Sequence, residues 1–252
     1  KLVIDNNIKA GIAKLRTFQL SGGGMSYWPG EQQVSSWGGS YAGHFLIEAE
    51  KKGYALPAGY KSSWIRSQRQ MARQWQQIEG TVNYYQYDLE QAYRLYTLAL
   101  AGEPETGAMN RLRETKNISL QAKWRLAAAF ALLGKTAVAT ELIGRESTEI
   151  QKYKGFYSSY GSRERDWAMI LETMMLMNDR TRGAVMARKI SDVLSSSAWL
   201  STQTTAYCML SMAKFAKGIT SGKLDFTCSL PDGKTVNVST GRTITQINLP
   251  LG

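Results

Sequence analysis

From its first residues to about position 218 the chain alternates between two kinds of apolar segment. One kind is apolar nearly all round and opens behind an aromatic residue: "SYAGHFLIEAEKKG" from Ser40, "AYRLYTLALAG" from Ala92, "KWRLAAAFALLG" from Lys123, "DWAMILETMMLM" from Asp166 and "AYCMLSMAKFAKG" from Ala206. The lead aromatics are Tyr41, Tyr93, Trp124, Trp167 and Tyr207. They recur every 30 to 50 residues or so, roughly the length of one helical hairpin with its loops. The other kind of segment, near 61–79, 105–115, 135–145 and 181–195, has one charged face. In "KSSWIRSQRQMARQWQQIEG" Arg66, Arg69 and Arg73 line one side, and Trp64, Ile65, Met71, Ala72 and Trp75 the other. Helices apolar all round belong in an inner layer, and one-faced helices outside it. The pattern therefore predicts a mainly α chain, an α/α toroid of helical hairpins over residues 1–220. A closed ring is preferred over an open solenoid because the repeats differ in length and register.

Helix boundaries are readable at several points. "STQTTAY" supplies capping side chains in Ser201, Thr202 and Thr204, while Gly102, Gly134 and Gly218 stand where a left-handed residue ends a helix. The period then changes. In "KLDFTCSLPDGKTVNV" Leu224, Phe226, Cys228 and Leu230 alternate with polar residues, Pro231-Asp232-Gly233 signals a turn, and "TGRTITQINLPLG" offers a third strand. Residues 221–252 are expected to begin or resume a β-sandwich domain truncated at the end of the chain. Lys1 is not a start methionine, and the opening already has helical spacing, so the chain reads as a segment of something longer.

Composition narrows the function classes. Thirty-one Lys and Arg against 20 Asp and Glu leave a net charge of +11. The basic residues are scattered, without glycine-aromatic interleaving or a recognisable binding motif, so no nucleic-acid partner is expected. No apolar run approaches the roughly 18–20 residues needed to cross a bilayer, so direct membrane insertion of this segment is not expected. One histidine and two cysteines without paired spacing argue against a metal site, and no cofactor is expected. Cys208 and Cys228 read as buried packing residues.

The stretches "GIAKLRTFQLSGGGMSYWPG", "SSWGGSYAGHFLIEAEKKGY", "YRLYTLALAGEPETGAMNRLRE" and "WLSTQTTAYCMLSMAKFA", in that order, resemble the helical thioester domain of the bacterial alpha-2-macroglobulin family. The resemblance covers nearly the whole chain. It implies an α/α toroid followed by the resumption of the β-sandwich into which the toroid is inserted. It also implies a non-enzymatic scaffold within a protease-trapping endopeptidase inhibitor of the periplasm or cell envelope. The implied partners are target proteases, met through the full-length parent, and the other domains of that parent.

The family's reactive centre is a Cys-x-Glu-Gln run that closes an internal thioester. Here Glu31-Gln32 follows Pro29 and Gly30, Cys208 is followed by Met-Leu-Ser, and Cys228 by Ser-Leu-Pro, so no thioester can close within this chain. In the family the motif precedes the segment that resembles "IKAGIAKLRTFQ", so it would fall before Lys1, and the chain either omits it by truncation or comes from a member that never had it. Residues 21–40 then read as a structural loop. Gly22, Gly23 and Gly24 allow a tight turn, and Tyr27, Trp28 and Trp37 are expected to anchor it by burying their rings. The competing reading places Tyr27, Trp28, Trp37, Tyr41 and His44 around the reactive face, with the loop partly exposed at its rim. His44, between apolar residues, reads as a packed, hydrogen-bonded side chain. No catalytic residue is assigned. The alternative function is an α/α-toroid glycoside hydrolase or lyase, whose acids would come from Asp88, Glu90, Glu164 and Asp166. Arg163 and Arg165 beside the last two suggest ion pairs and capping instead.

Overall fold

The computed structural model describes residues 2–77, 87–144, 146–153, 159–217, 224–229 and 235–240. After α1 (Leu2–Arg16), two layers of helices alternate along the chain. The inner helices are α2 (Ser36–Lys51), α4 (Tyr87–Leu100), α6 (Leu120–Leu132), α8 (Arg163–Leu176) and α10 (Thr202–Lys217). The outer ones are α3 (Tyr60–Gln74), α5 (Thr106–Glu114), α7 (Thr136–Ile143) and α9 (Arg180–Leu194). Each inner helix packs on the next, in the order α2, α4, α6, α8, α10, and the outer helices lie against them. This is the predicted arrangement of inner and outer hairpin helices. Its physical basis is visible in α4, α6 and α8, where nearly every residue of the middle turns is buried, whereas α3, α5 and α9 bury one stripe each.

The ring closes between α10 and α2 through side chains rather than by the close backbone approach that joins the other neighbouring inner helices. Tyr41 stacks on Tyr207 at 5.6 Å between ring centroids. Lys214 Nζ donates to Glu48 Oε1 at 2.9 Å and to Glu172 Oε1 at 2.6 Å. The lead aromatics Tyr93, Trp124, Trp167 and Tyr207 are buried in one continuous core, and Tyr41 packs against it half-buried.

Helix ends follow the sequence signals. Gly102 (φ 82°) and Gly134 (φ 71°) are left-handed, and the next residue bonds back into the last turn, Glu103 N–H to Leu98 O at 2.9 Å and Lys135 N–H to Phe130 O at 3.0 Å. Asn178 (φ 58°) does the same after α8. Gly218 lies outside the described residues.

A smaller core joins α1, α2 and α3 through Ile12, Met25, Leu46, Ile47, Tyr60 and Trp64. Gly43 is required there, because a Cβ would stand 2.0 Å from the Trp64 ring, whose Nε1 donates to Gly39 O at 2.8 Å. Gly23 is required twice over, by its φ of +86° and by the Ser63 carbonyl oxygen, which a Cβ would meet at 2.1 Å.

After the helices, β1 (Leu224–Ser229) pairs antiparallel with β2 (Thr235–Thr240). The register sets Phe226 opposite Val238 and Cys228 opposite Val236, so the apolar alternation of the two strands falls in phase. The expected turn at 231–233, the third strand and the burial of Cys228 lie outside the described residues.

Candidate functional site: an aromatic depression at the inner-helix N-termini

The inner helices α2, α8 and α10 begin at one depression of about 410 Å³. Each start is capped by a serine. Ser35 Oγ accepts from Gly38 N–H at 3.1 Å, Ser162 Oγ from Arg165 N–H at 3.1 Å, and Ser201 Oγ from Thr204 N–H at 3.2 Å. Ser162 and Thr204 hydroxyls also meet at 2.8 Å, tying α8 to α10. The walls are aromatic: Tyr27, Trp37, Tyr41, Tyr160 and Trp199.

Spacing along α2 explains much of this. Trp37, Tyr41, His44 and Glu48 fall at intervals of four, three and four, which is one face of a helix. That stripe runs from the depression down into the ring. Trp37 and Tyr41 line the depression. His44 lies deeper, buried, with Nδ1 3.0 Å from the Tyr93 hydroxyl. It is a packed histidine, as read from the sequence.

The loop behaves differently from the anchoring expectation. Tyr27 is 42% exposed and Trp28 62% exposed; only Trp37, at 4%, buries its ring. The loop is held instead by Met25 and Ser26, both buried. Ser26 N–H donates to Phe18 O at 2.9 Å, Ser35 N–H to Met25 O at 2.7 Å, and Ser26 Oγ to Trp28 O at 2.8 Å. These backbone bonds fix the loop without the rings, so Tyr27 and Trp28 are free to turn outward. Tyr27 stacks on Tyr160 at 5.4 Å and meets Trp28 edge-on at 5.2 Å. The Gly30-Glu31-Gln32 run is an exposed turn: Glu31 Oε2 accepts from Trp28 N–H at 3.2 Å, and Gly30 has φ 87°.

Tyr160 and Trp199 were not singled out in the sequence. Both sit in connections without periodicity, and Trp199, 84% exposed, would pass as an ordinary surface residue. The one signal at Tyr160 is conformational, a positive φ of 47° in a non-glycine residue.

Of the four acids weighed for hydrolysis, Glu164 lines the depression and the other three do not. Asp88 Oδ1 accepts from Leu89 N–H at 2.7 Å, and its Oδ2 bonds Ser119 N–H. Glu90 is buried in α4. Glu164 pairs with Arg163 at 2.9 Å. Asp166 is buried, with Oδ1 accepting from Arg165 Nη2 at 2.7 Å and Oδ2 from the Tyr153 hydroxyl at 2.6 Å. Arg165 Nη1 also donates to Ser159 O at 3.1 Å, so this pair fastens the rim to α8. Cys208, packed beneath, has its thiol pushed up to about 12 by burial. It is protonated at neutral pH and a poor nucleophile.

Below the aromatic floor, the ring holds a charged cluster. Arg125 Nη1 donates to Glu172 Oε2 at 2.7 Å, with the guanidinium 4.3 Å over the Tyr96 ring. Burial alone would raise Glu172, but Arg125 and Lys214 hold it well below the ordinary carboxylate range. Across the seam Lys214, bonded to Glu48 Oε1 at 2.9 Å, holds that carboxylate below its ordinary range against the opposing effect of burial. His44 Nε2 stands 3.8 Å from Glu48, too far for a hydrogen bond, and burial lowers the imidazole from 6.5.

Acid is therefore expected to weaken the α2–α10 seam in two steps. A histidine with a lowered folded pKa protonates first in the unfolded chain, so stability is complete above about 6.5 and declines as pH falls through the lowered value. The depressed Glu48 and Glu172 add stability that is present above about 4.5 and is lost as pH falls below it toward their lowered values. Urea midpoints measured from pH 7.5 to 3 should fall in both windows, and His44→Asn should flatten the upper one. A profile level from pH 7.5 to 4 would contradict this reading.

No protein-family model matches the chain, and no curated protein does. Solved structures do. Native alpha-2-macroglobulin from Escherichia coli, spanning domain MG7 to the C-terminus, aligns with TM-score 0.72 at 20% identity over 92% of this chain and 38% of that one. Salmonella alpha-2-macroglobulin reacted with methylamine aligns with TM-score 0.73 at 19% identity over 90% of this chain and 15% of that one. Trypsin-activated Escherichia coli alpha-2-macroglobulin gives 0.68 at 20% identity over 92% and 16%. The chain thus spans well under half the length of the proteins it matches. Its helical double ring has the fold of one region of the bacterial alpha-2-macroglobulins.

Proposed function

We propose that this chain is the helical domain of a bacterial alpha-2-macroglobulin-type protein, a scaffold without catalytic activity in a protease-trapping inhibitor of the periplasm or cell envelope. The observation that carries the reading is the depression at the N-termini of α2, α8 and α10, walled by Tyr27, Tyr41, Tyr160 and Trp199. Its rings offer an acyl group an apolar surface, and the helix starts favour negative charge beside it. Its own residues offer no activated nucleophile, since the serines cap helices and Cys208 is protonated. The chemistry of trapping would come from a thioester on the parent, and this face would shelter it. Proteases and the parent's other domains are the partners; residues 1–220 form the toroid and 221–252 the resuming β-sandwich. Among the described residues no helix is long and apolar enough to cross a membrane.

The test uses the full protein that carries this chain. Incubated with trypsin or elastase, it should retain the protease in a complex that still cleaves small substrates but spares large ones. The present chain alone should take up no methylamine. Failure to retain any protease would remove the inhibitor reading. Saccharide cleavage abolished by Glu164→Gln would establish the hydrolase alternative.

A further inference from the structure

A second cavity, of about 650 Å³, lies on the outer layer, away from the aromatic depression. It is lined by α3 residues, Arg66, Arg69 and Arg73 among them, and by Glu103 from the α4–α5 connection. These arginines form the charged side of α3 that the sequence spacing predicts. Their bonding is more specific than that. Glu105, a buried carboxylate, accepts from Arg69 Nε and from Arg73 Nε at 3.0 Å and Nη2 at 2.8 Å. Arg73 and Arg69 draw its proton affinity down in spite of burial, so it stays ionised. Glu103 takes Arg69 Nη1 at 3.1 Å.

Both guanidinium groups are thus gripped along one edge and held in place. Arg73 Nη1 and Arg69 Nη2 have no hydrogen bond to a described residue, and Arg66 has no ion pair with one. Three guanidinium groups face two carboxylates, and the sequence of α3 contains no acid of its own. The arginines are spaced over two helical turns, a rise of roughly 10 Å, which is too long for one small anion. Ser62, Gln70 and Gln74 add uncharged hydrogen-bonding groups along the same groove.

We propose that this groove binds a polyvalent, phosphate-bearing ligand, with Arg66 and Arg73 as its principal contacts and Glu105 as the residue that positions Arg69 and Arg73. The planar guanidinium fork matches phosphate oxygens in pairs, and a held fork loses little rotamer freedom on binding. The phosphates could belong to a free oligophosphate or to the headgroups of an anionic lipid surface; the chemistry of the groove is the same for both.

Tripolyphosphate titrated calorimetrically into the full chain at low ionic strength is the direct probe. Arg66→Gln with Arg73→Gln should weaken binding by about 100-fold, about tenfold for each lost charged contact. Lys135→Gln with Arg188→Gln removes the same net charge from exposed positions elsewhere and should change binding less than about twofold. Glu103→Gln should tighten it by freeing Arg69. Thermal midpoints of all variants show whether each is folded. Co-sedimentation with phosphatidylglycerol vesicles that tripolyphosphate competes away would assign the ligand to lipid headgroups; tripolyphosphate binding without co-sedimentation would assign it to a free phosphate. Either result supports the site. Equal weakening by the two double variants would reduce the effect to net charge and overturn it. So would no tripolyphosphate binding, or tighter binding of oligoglutamate than of tripolyphosphate.

Discussion

Glu172→Ala is expected to destabilise the chain by about 3–5 kcal/mol, the usual cost of leaving a buried charge without its partner. Glu172 is the carboxylate shared by Arg125 at 2.7 Å and Lys214 at 2.6 Å. Arg125 is fully buried, and its Nε and Nη2 already lack a hydrogen-bond partner. Removing Glu172 strips its remaining carboxylate bond and leaves only the Tyr96 and Tyr93 rings against the guanidinium. Lys214 would keep Glu48, so the α2–α10 seam should weaken rather than part. The paired change Glu172→Leu with Arg125→Met should recover much of the loss, because replacing both charges by apolar groups of similar volume is often neutral. Urea unfolding of the unaltered chain and the two variants at pH 7 checks this. A loss below about 1 kcal/mol in Glu172→Ala would mean that Arg125 finds water or another acceptor inside the ring.

Trp37→Ala is expected to cost about 3–5 kcal/mol, and Trp28→Ala less than about 0.5 kcal/mol. The two tryptophans sit nine positions apart in one loop-and-helix start, yet their surroundings differ completely. Trp37 is packed at 4.8 Å on Tyr93 and lies 4.5 Å beneath the Arg165 guanidinium. Its loss opens a cavity beneath the depression and deprives Arg165 of its stacking partner. Trp28 touches Tyr27 edge-on and otherwise faces solvent. In a thioester-bearing protein of the kind proposed above, the same Trp28→Ala change should instead speed hydrolysis of a thioester at this face, by admitting water. Thermal midpoints of the two variants in this chain, and the rate of free-thiol release in the parent, separate the structural ring from the covering one. Equal midpoint drops would restore Trp28 to the role of anchor.

The double layer was legible in the sequence for a plain reason. A helix that is apolar all round can only be inside, and one with a single apolar stripe can only cover it, so α3, α5, α7 and α9 fall within a few residues of the amphipathic stretches read from the chain. Ends governed by one residue were equally readable. Gly102 and Gly134 stop α4 and α6 because only a residue free to adopt positive φ fits there, and Ser201 caps α10 through a local bond three residues on. The stripe Trp37, Tyr41, His44 was available too, since helical spacing alone puts those residues on one face.

What lay beyond the sequence was everything that depends on which loop meets which. Tyr27 and Trp28 look like anchors in a glycine-rich loop, because two large rings are its main apolar surface. Whether they are buried depends on the bonds of Ser26 and Ser35 and on Tyr160, more than a hundred residues away, which stacks on Tyr27. Trp199 acquires meaning only because α10 begins beside α2. Glu48, Glu172 and Lys214 look like ordinary helix charges until the ring brings three helices together, and Glu105 looks like a loop acid until α3 lies over it. Local periodicity and capping are set by bonds within a few residues, so the sequence alone determined the helices, their order and their layers. Exposure and charge pairing are set by contacts tens to hundreds of residues apart, so only the tertiary structure decided the depression, the buried charges and the arginine groove.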